Sequence, residues 1–441
     1  MDLTLQRAAE LKQALTDFVL DAEGDLATAL EAFSAQQMTR SKQQDMHQRN
    51  LVVDRFIFEG QVDKQTPIDL FLQSEPELSE SERQLLQTWR HSFVGLFAVS
   101  QVLEDGFALM NWTTAKHYLV QLTSPEEAAK MLRLKEGEII LAQISPVAGK
   151  TWMFSSPVMQ LGKLGKPKLA VAIGNFKENY KNHLYSDAPE LLAEAWKSVE
   201  QYHQDFVDFF GSNEVTLPGY QLNKKIQEFQ ELMTKKRLEA AGIDESKSLE
   251  ELAAESGISQ EEIAEAAESM GADAKEVSQF FDSKGKAKMV MPKVDLPDPL
   301  KKAEQVTVLT HPRWGQAFLP TYHQFIALLE AEDWTTVSNG DVLVRRYLED
   351  PEIPTFVWYR LAEQYPDRLE AVLQSVLSRP EFELKHGLDS VLQEFNKSIE
   401  TELPEIASVP IHLHNLFQEA IQEISKDKSK AKVKRKTAAG F

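Results

Sequence analysis

The chain has 441 residues, 42% hydrophobic and 26% charged, enough apolar material for about two to four domains with cores of their own. Its formal charge of -20 repels the phosphates of DNA, RNA and anionic lipid at long range, so nucleic acid is disfavoured as a partner. With no cysteine, disulfides, thiolate catalysis, iron–sulfur clusters and cysteine-based zinc sites are excluded.

Residues 2–47 repeat apolar positions at three and four (Leu3, Leu5, Leu11, Leu15, Phe18, Val19, Leu26, Leu30, Phe33), which predicts one or two amphipathic helices. This start is acidic, unlike a secretory leader, and no later stretch approaches roughly 18 uninterrupted apolar residues. The expectation is a cytoplasmic protein without a transmembrane segment. Gly60 breaks the run LVVDRFIF, Thr66-Pro67 opens a short helix, and Ser79 with Glu82 forms a capping box for a helix running toward Trp89. Residues 1–90 are therefore expected to be a helical N-terminal region.

From Phe93 the apolar period changes from helical to two, through VGLFAVSQV, FALMNW, HYLVQL, EIILAQISPV and TWMFSSPVMQ, with a tight Asp105-Gly106 turn after the first stretch. Five short strands over 91–165 predict a small β-barrel of the SH3 or oligonucleotide-binding type, because closure pairs their edges. The insertion SPEEAAKMLRLKEG predicts one helix, with Pro125 at its first position and Glu126 and Glu127 near its positive end.

The segments VVDRFIF at 52–58, PIDLFLQSEPELSESE at 67–82 and WRHSFVGLFAV at 89–99 join an acidic helix, a Trp-Arg pair and a Gly-Leu-Phe-Ala-Val strand. In these the chain resembles, over roughly residues 50–210, an uncharacterised bacterial family met mainly in cyanobacteria and actinobacteria. The resemblance implies a fold pattern and carries no activity with it.

Residues 166–219 read as a helical extension whose stripe of Trp196, Val199, Tyr202, Phe206, Phe209 and Phe210 is core-like. An acidic three-helix module follows at 220–282, its helices opened by Ser248 with Glu251, Ser259 with Glu262 and Asp273 with Glu276. Residues 283–305 mix lysine, glycine and proline without apolar periodicity and predict a linker. Residues 306–425 read as a helical C-terminal domain punctuated by proline, and 426–441 as a disordered basic tail.

Leu252, Ala253, Gly257, Ile258 and Ile263 fit a helix-turn-helix, but the second helix would present Gln260, Glu261, Glu262, Glu265 and Glu268, and carboxylates oppose a phosphate-lined groove. The barrel aromatics Phe97, Phe107, Trp112, Tyr118, Trp152 and Phe154 could stack bases, with Arg90, Lys116, Lys130, Arg133, Lys135, Lys150 and Lys163 nearby, yet a small barrel needs rings to fill its interior. His412 and His414 lack a third metal ligand, and the segments around His91 and His311 show no partner. Neither GxGxxG nor GxxxxGK[ST] occurs, so no phosphate cradle is present.

The expectation is an α+β, mainly helical multi-domain protein with one small five-stranded β-barrel. It names no catalytic, cofactor-binding or metal-binding residue and no cofactor. The preferred function is a non-catalytic accessory or assembly factor that binds another protein or complex. The alternatives are RNA or single-stranded nucleic-acid binding through the barrel and tail, and an enzyme whose site is assembled from distant loops. The candidate electrostatic contact is Lys426, Lys428, Lys430, Lys432, Lys434, Arg435 and Lys436, which could also hold the chain peripherally on a membrane.

Overall fold

A computed structural model describes residues 3–40, 46–131, 133–240, 296–413, 415–417 and 419–420. The chain divides into two compact units, 1–192 with 409–441, and 193–408. The class is α+β and mainly helical, with one small closed barrel.

In the first unit, α1 (Leu3–Leu20) buries Leu5, Ala8, Leu11, Leu15 and Val19, the three-and-four spacing that places one helical stripe on a core. Gly24, at φ +67, turns the chain into α2 (Asp25–Arg40). The same core takes Phe56 and Ile57 from α3 (Met46–Glu59), Ile68 and Phe71 from α4 (Pro67–Ser74), and Leu86 from α5 (Glu80–Thr88). Capping boxes start α4 at Thr66 and Asp69 and α5 at Ser79 and Glu82, each satisfying backbone N–H groups that a helix start leaves unpaired.

Trp89 ends this layer and joins it to the barrel: its ring is fully buried in the helical core and its Nε1–H donates to Pro146 O at 3.0 Å. The strands are β1 (Phe93–Val102), β2 (Gly106–Asn111), β3 (His117–Gln121), β4 (Ile139–Ala148), β5 (Thr151–Phe154) and β6 (Met159–Gly162), with α6 (Pro125–Met131) between β3 and β4. The order β1-β2-β3-β5-β4 closes because β4 also pairs with β1, and β3 runs parallel to β5. That order, with its helix between the third and fourth strands, is the oligonucleotide-binding arrangement and not the SH3 one. The stretch read as one fifth strand bends at Ser155-Ser156-Pro157, and its second half, β6, returns along the start of β4.

Two glycines are required here. A Cβ on Gly95 would stand 2.4 Å from the Phe97 ring, which folds back over it inside the barrel. A Cβ on Gly106, in the predicted turn, would stand 2.0 Å from Val120 O of the neighbouring strand. Outside the barrel, α7 (Lys166–Asn179) lays Leu169, Ile173 and Phe176 with Leu413 and Leu416 over Val94, Leu96 and Ile139.

In the second unit, α8 (Pro189–Phe210) from residue 193 onward, β7 (Glu214–Leu217), α9 (Gly219–Ala240) and α10 (Asp298–Lys302) precede a hairpin of β8 (Val306–His311) and β9 (Gly315–Leu319). The antiparallel sheet β7-β8-β9 buries Val306 and Val308 with Phe206, Leu222 and Phe229. Leu309, Ala317 and Leu319 pack instead among α11 (Tyr322–Glu330), α12 (Gly340–Glu349), α13 (Thr355–Gln364), α14 (Pro366–Val376) and α15 (Leu384–Glu394).

Three expectations are corrected here. The segment from 306, read as helical, opens with a hairpin, because VTVLT at 306–310 is apolar or β-branched throughout and finds β7 about ninety residues earlier in the chain. The helical extension 166–219 likewise ends in strand β7. Of the expected linker, residues 296–305 pack: Leu296 is buried, its N–H donates to Asn223 Oδ1 at 2.8 Å, and Gly219 lies against Leu300 O so closely that a Cβ would clash. Of the module expected at 220–282, residues 220–240 belong to α9; its three predicted helices at 248–282, with the helix-turn-helix pattern at 250–267, and the tail lie outside the described residues.

Candidate functional site

The barrel rings settle into the interior. Phe97, Phe107, Tyr118 and Phe154 are buried, with Phe93 and Tyr118 edge to face at 5.5 Å and Tyr118 and Trp152 at 5.2 Å. Trp152 is half-buried against the same core, and Trp112 packs outside it with the α7 layer. Among the described side chains, the basic residues sit at helix ends and turns around the barrel. Arg90 pairs with Asp69, and Lys116 bonds Asp187 O and Glu190 (3.0 Å). Arg133 and Lys135 precede β4, Lys150 lies in the β4–β5 turn, and Lys163 stands over Gly137.

What the barrel does present is the outer face of β1, β2 and β3. Ala98, Met110 and His117 lie in one cross-strand row, and Gln101, Ala108, Leu119 and Thr151 in the next. Their neighbours Phe97, Leu109 and Tyr118 point inward, so strand alternation turns this set to the outside. Leu119 is 40% exposed, and Ala98, Ala108 and Met110 are half-buried. The face is weakly apolar, with no phenylalanine, tyrosine or tryptophan and no lysine or arginine in either row.

A second polar group stands under the helical layer. Arg55 donates through Nε (2.9 Å) and Nη2 (2.7 Å) to the two carboxylate oxygens of Glu59, and His183 Nε2 lies 2.9 Å from Glu59 Oε1. Burial pushes the Glu59 carboxyl up, but the hydrogen bonds from His183 and Arg55 overcome it and hold the group at about 2. The Arg55 guanidinium also lies over the Tyr180 ring, 5.1 Å from its centroid. A histidine oriented by a carboxylate is half of a nucleophile-activating set, and none of its hydrogen bonds reaches a serine or threonine hydroxyl. Nearby, Lys12 bonds Asp54 at 2.7 Å, and burial raises the Asp54 carboxyl despite that cation. Sequence reasoning passed over the Arg55–Glu59–His183 group: only the four-residue spacing of Arg55 and Glu59 signals it, and His183 is far along the chain.

In the second unit, the expected core stripe holds, with Val199 and Phe206 buried and Tyr202, Phe209 and Phe210 packed against that core. Trp196 instead lies under the Arg313 guanidinium, 4.1 Å away. His311 Nδ1 accepts from the N–H groups of Arg313 and Trp314, and burial with His203 nearby lowers its pKa. Lys397 is 7% exposed, donates to the carbonyls of Asp350 and Ile353 at 2.8 Å each, and is pushed down by burial to about 8. His412 Nε2 lies 2.8 Å from Trp112 O in the first unit. Among the described residues, no group of three or more histidine, aspartate or glutamate side chains is placed to hold a metal ion, and no helix is long and apolar enough to cross a membrane. The seven basic residues from Lys426 to Lys436 lie outside the described residues.

A family of unknown function (DUF7986) matches residues 5–111. The matched segment ends at the last residue of β2, so it spans the helical layer, Trp89 and two strands whose barrel closes only with β3, β4 and β5. No curated protein and no solved structure matches the chain.

Proposed function

We propose that this protein is a non-catalytic accessory or assembly factor that binds another protein or protein complex in the cytoplasm, in the bacterial setting that the family resemblance implies. The observation that carries the reading is the outer face of β1, β2 and β3. In oligonucleotide-binding barrels this face stacks bases on rings and neutralises phosphates with lysine and arginine. Here Phe97, Phe107, Tyr118, Trp152 and Phe154 belong to the barrel core and Trp112 to the α7 layer, the face offers Ala108, Met110 and Leu119 among polar residues without lysine or arginine, and the β1–β2 turn beside it carries Glu104 and Asp105. Such a surface suits a protein partner and repels a phosphate chain.

The barrel topology itself favours single-stranded nucleic acid as the second reading, since the fold recurs in such binders. One comparison separates the two. The immobilised full chain and its Leu119→Glu variant are exposed to extract of the native host, and single-stranded oligonucleotides are titrated against both at physiological salt. The protein reading expects a defined partner retained by the parent and lost with the variant, and no saturable oligonucleotide binding. Saturable, salt-sensitive oligonucleotide binding, or equal retention by both proteins, would overturn it.

A further inference from the structure

The outer face of β4 reads Ile139, Leu141, Gln143, Ser145, Val147. Ile139 and Leu141 pack into the α7 layer, and Val147 packs into the core of the N-terminal helices. The two polar positions stand where these apolar layers meet on the barrel wall. Ser145 is satisfied, since Ser92 Oγ donates to its Oγ at 2.7 Å. Gln143 is not: it is 1% exposed, and neither its Oε1 nor its Nε2 has a protein partner.

Across the β4–β5 pairing sits Ser155, whose N–H donates to Gln143 O at 3.0 Å. It is 5% exposed, and its Oγ also lacks a protein partner. Ile144 and Phe154, the preceding register pair, point into the barrel, so alternation sets Gln143 and Ser155 on the same outer side. Two donors and an acceptor of an amide thus stand beside a hydroxyl, sealed from bulk solvent. Left dry, these groups would lose their hydration with no return, whereas a methionine of similar shape would bring no such loss.

We propose that Gln143 and Ser155 form a buried hydration site, in which ordered internal water bridges the amide and the hydroxyl. Internal water takes two to four polar partners in such positions, and this pair supplies them. The water acts as a structural part of the seam between the barrel wall and the layers over it.

The test is a high-resolution crystal structure of the full chain, together with thermal melts of Gln143→Met, Ser155→Ala and the double variant. A solvent peak within hydrogen-bonding distance of both side chains, about 2.7–3.2 Å, is expected in the parent and absent from Gln143→Met. Each single variant should melt at a lower temperature, and the double variant should lose less than the sum, because both empty one site. A parent structure with no such peak, whether the space is dry or Gln143 has turned onto a protein group, overturns the proposal. So does a higher melting temperature for Gln143→Met, the result for an amide that is buried without a partner.

Discussion

Lys397 makes the stability of the second unit depend on alkaline pH. Its ammonium is buried against two backbone carbonyls, and burial holds it at about 8, below the ordinary lysine value of 10.5. Below pH 8 both folded and unfolded chains carry the proton, and the folded chain bears the cost of burying it. Between 8 and 10.5 the folded chain has released a proton that the unfolded chain still holds, so stability rises with pH. The full difference is about 3 kcal/mol. Buried Tyr322 and Tyr347, both raised by burial, reverse the trend once unfolded tyrosines ionise near pH 10, so the usable window ends at about pH 9.5. Within it, between pH 7 and 9.5, the gain is about 2 kcal/mol. Lys397→Met keeps the apolar stem and removes the titration. Urea unfolding of parent and variant at several pH values across that window should show a rising parent curve and a difference between the two that changes by about this amount. Parallel curves would refute the reasoning, because they would show that the lysine is not buried as a charge in the folded state.

The Glu59 carboxylate has the opposite sign. Its folded pKa of about 2 lies below the ordinary 4.5, so its stabilisation is present above pH 4.5 and is lost as pH falls toward 2, by about 3 kcal/mol in all. Glu59→Gln should remove most of that acid dependence in chemical denaturation. Ala115 holds φ +58 in the β2–β3 turn, a conformation that costs a non-glycine residue about 1 kcal/mol, so Ala115→Gly should raise the melting temperature of the first unit rather than lower it. Trp89→Phe retains most of the ring packing but leaves Pro146 O without its indole donor, and should cost at least about 1–3 kcal/mol by urea titration. An unchanged midpoint would show that the Trp89 bond does not tie the helical layer to the barrel.

Local chemistry made a good part of this fold legible. The three-and-four spacing of Leu5, Leu11, Leu15 and Val19 placed a helix and its buried stripe, Ser79 with Glu82 placed a helix start, and Asp105-Gly106 placed a hairpin turn, because each signal is spent within a few residues of where it is read. The change from helical to two-residue periodicity at Phe93 announced the barrel, and the volume its interior must fill predicted that its rings are core. Which barrel it is depended on β4 finding β1 and β5 finding β3, pairings that no local pattern encodes. The hairpin at 306 was missed for the same reason: a short apolar run is compatible with either a buried helix or a strand until its partner, β7, is known. The polar groups depended most on the tertiary structure. Arg55, Glu59 and His183, or Gln143 and Ser155, are ordinary residues in sequence, and only burial beside one another, which removes water and leaves each group dependent on its neighbour, gives them their chemistry.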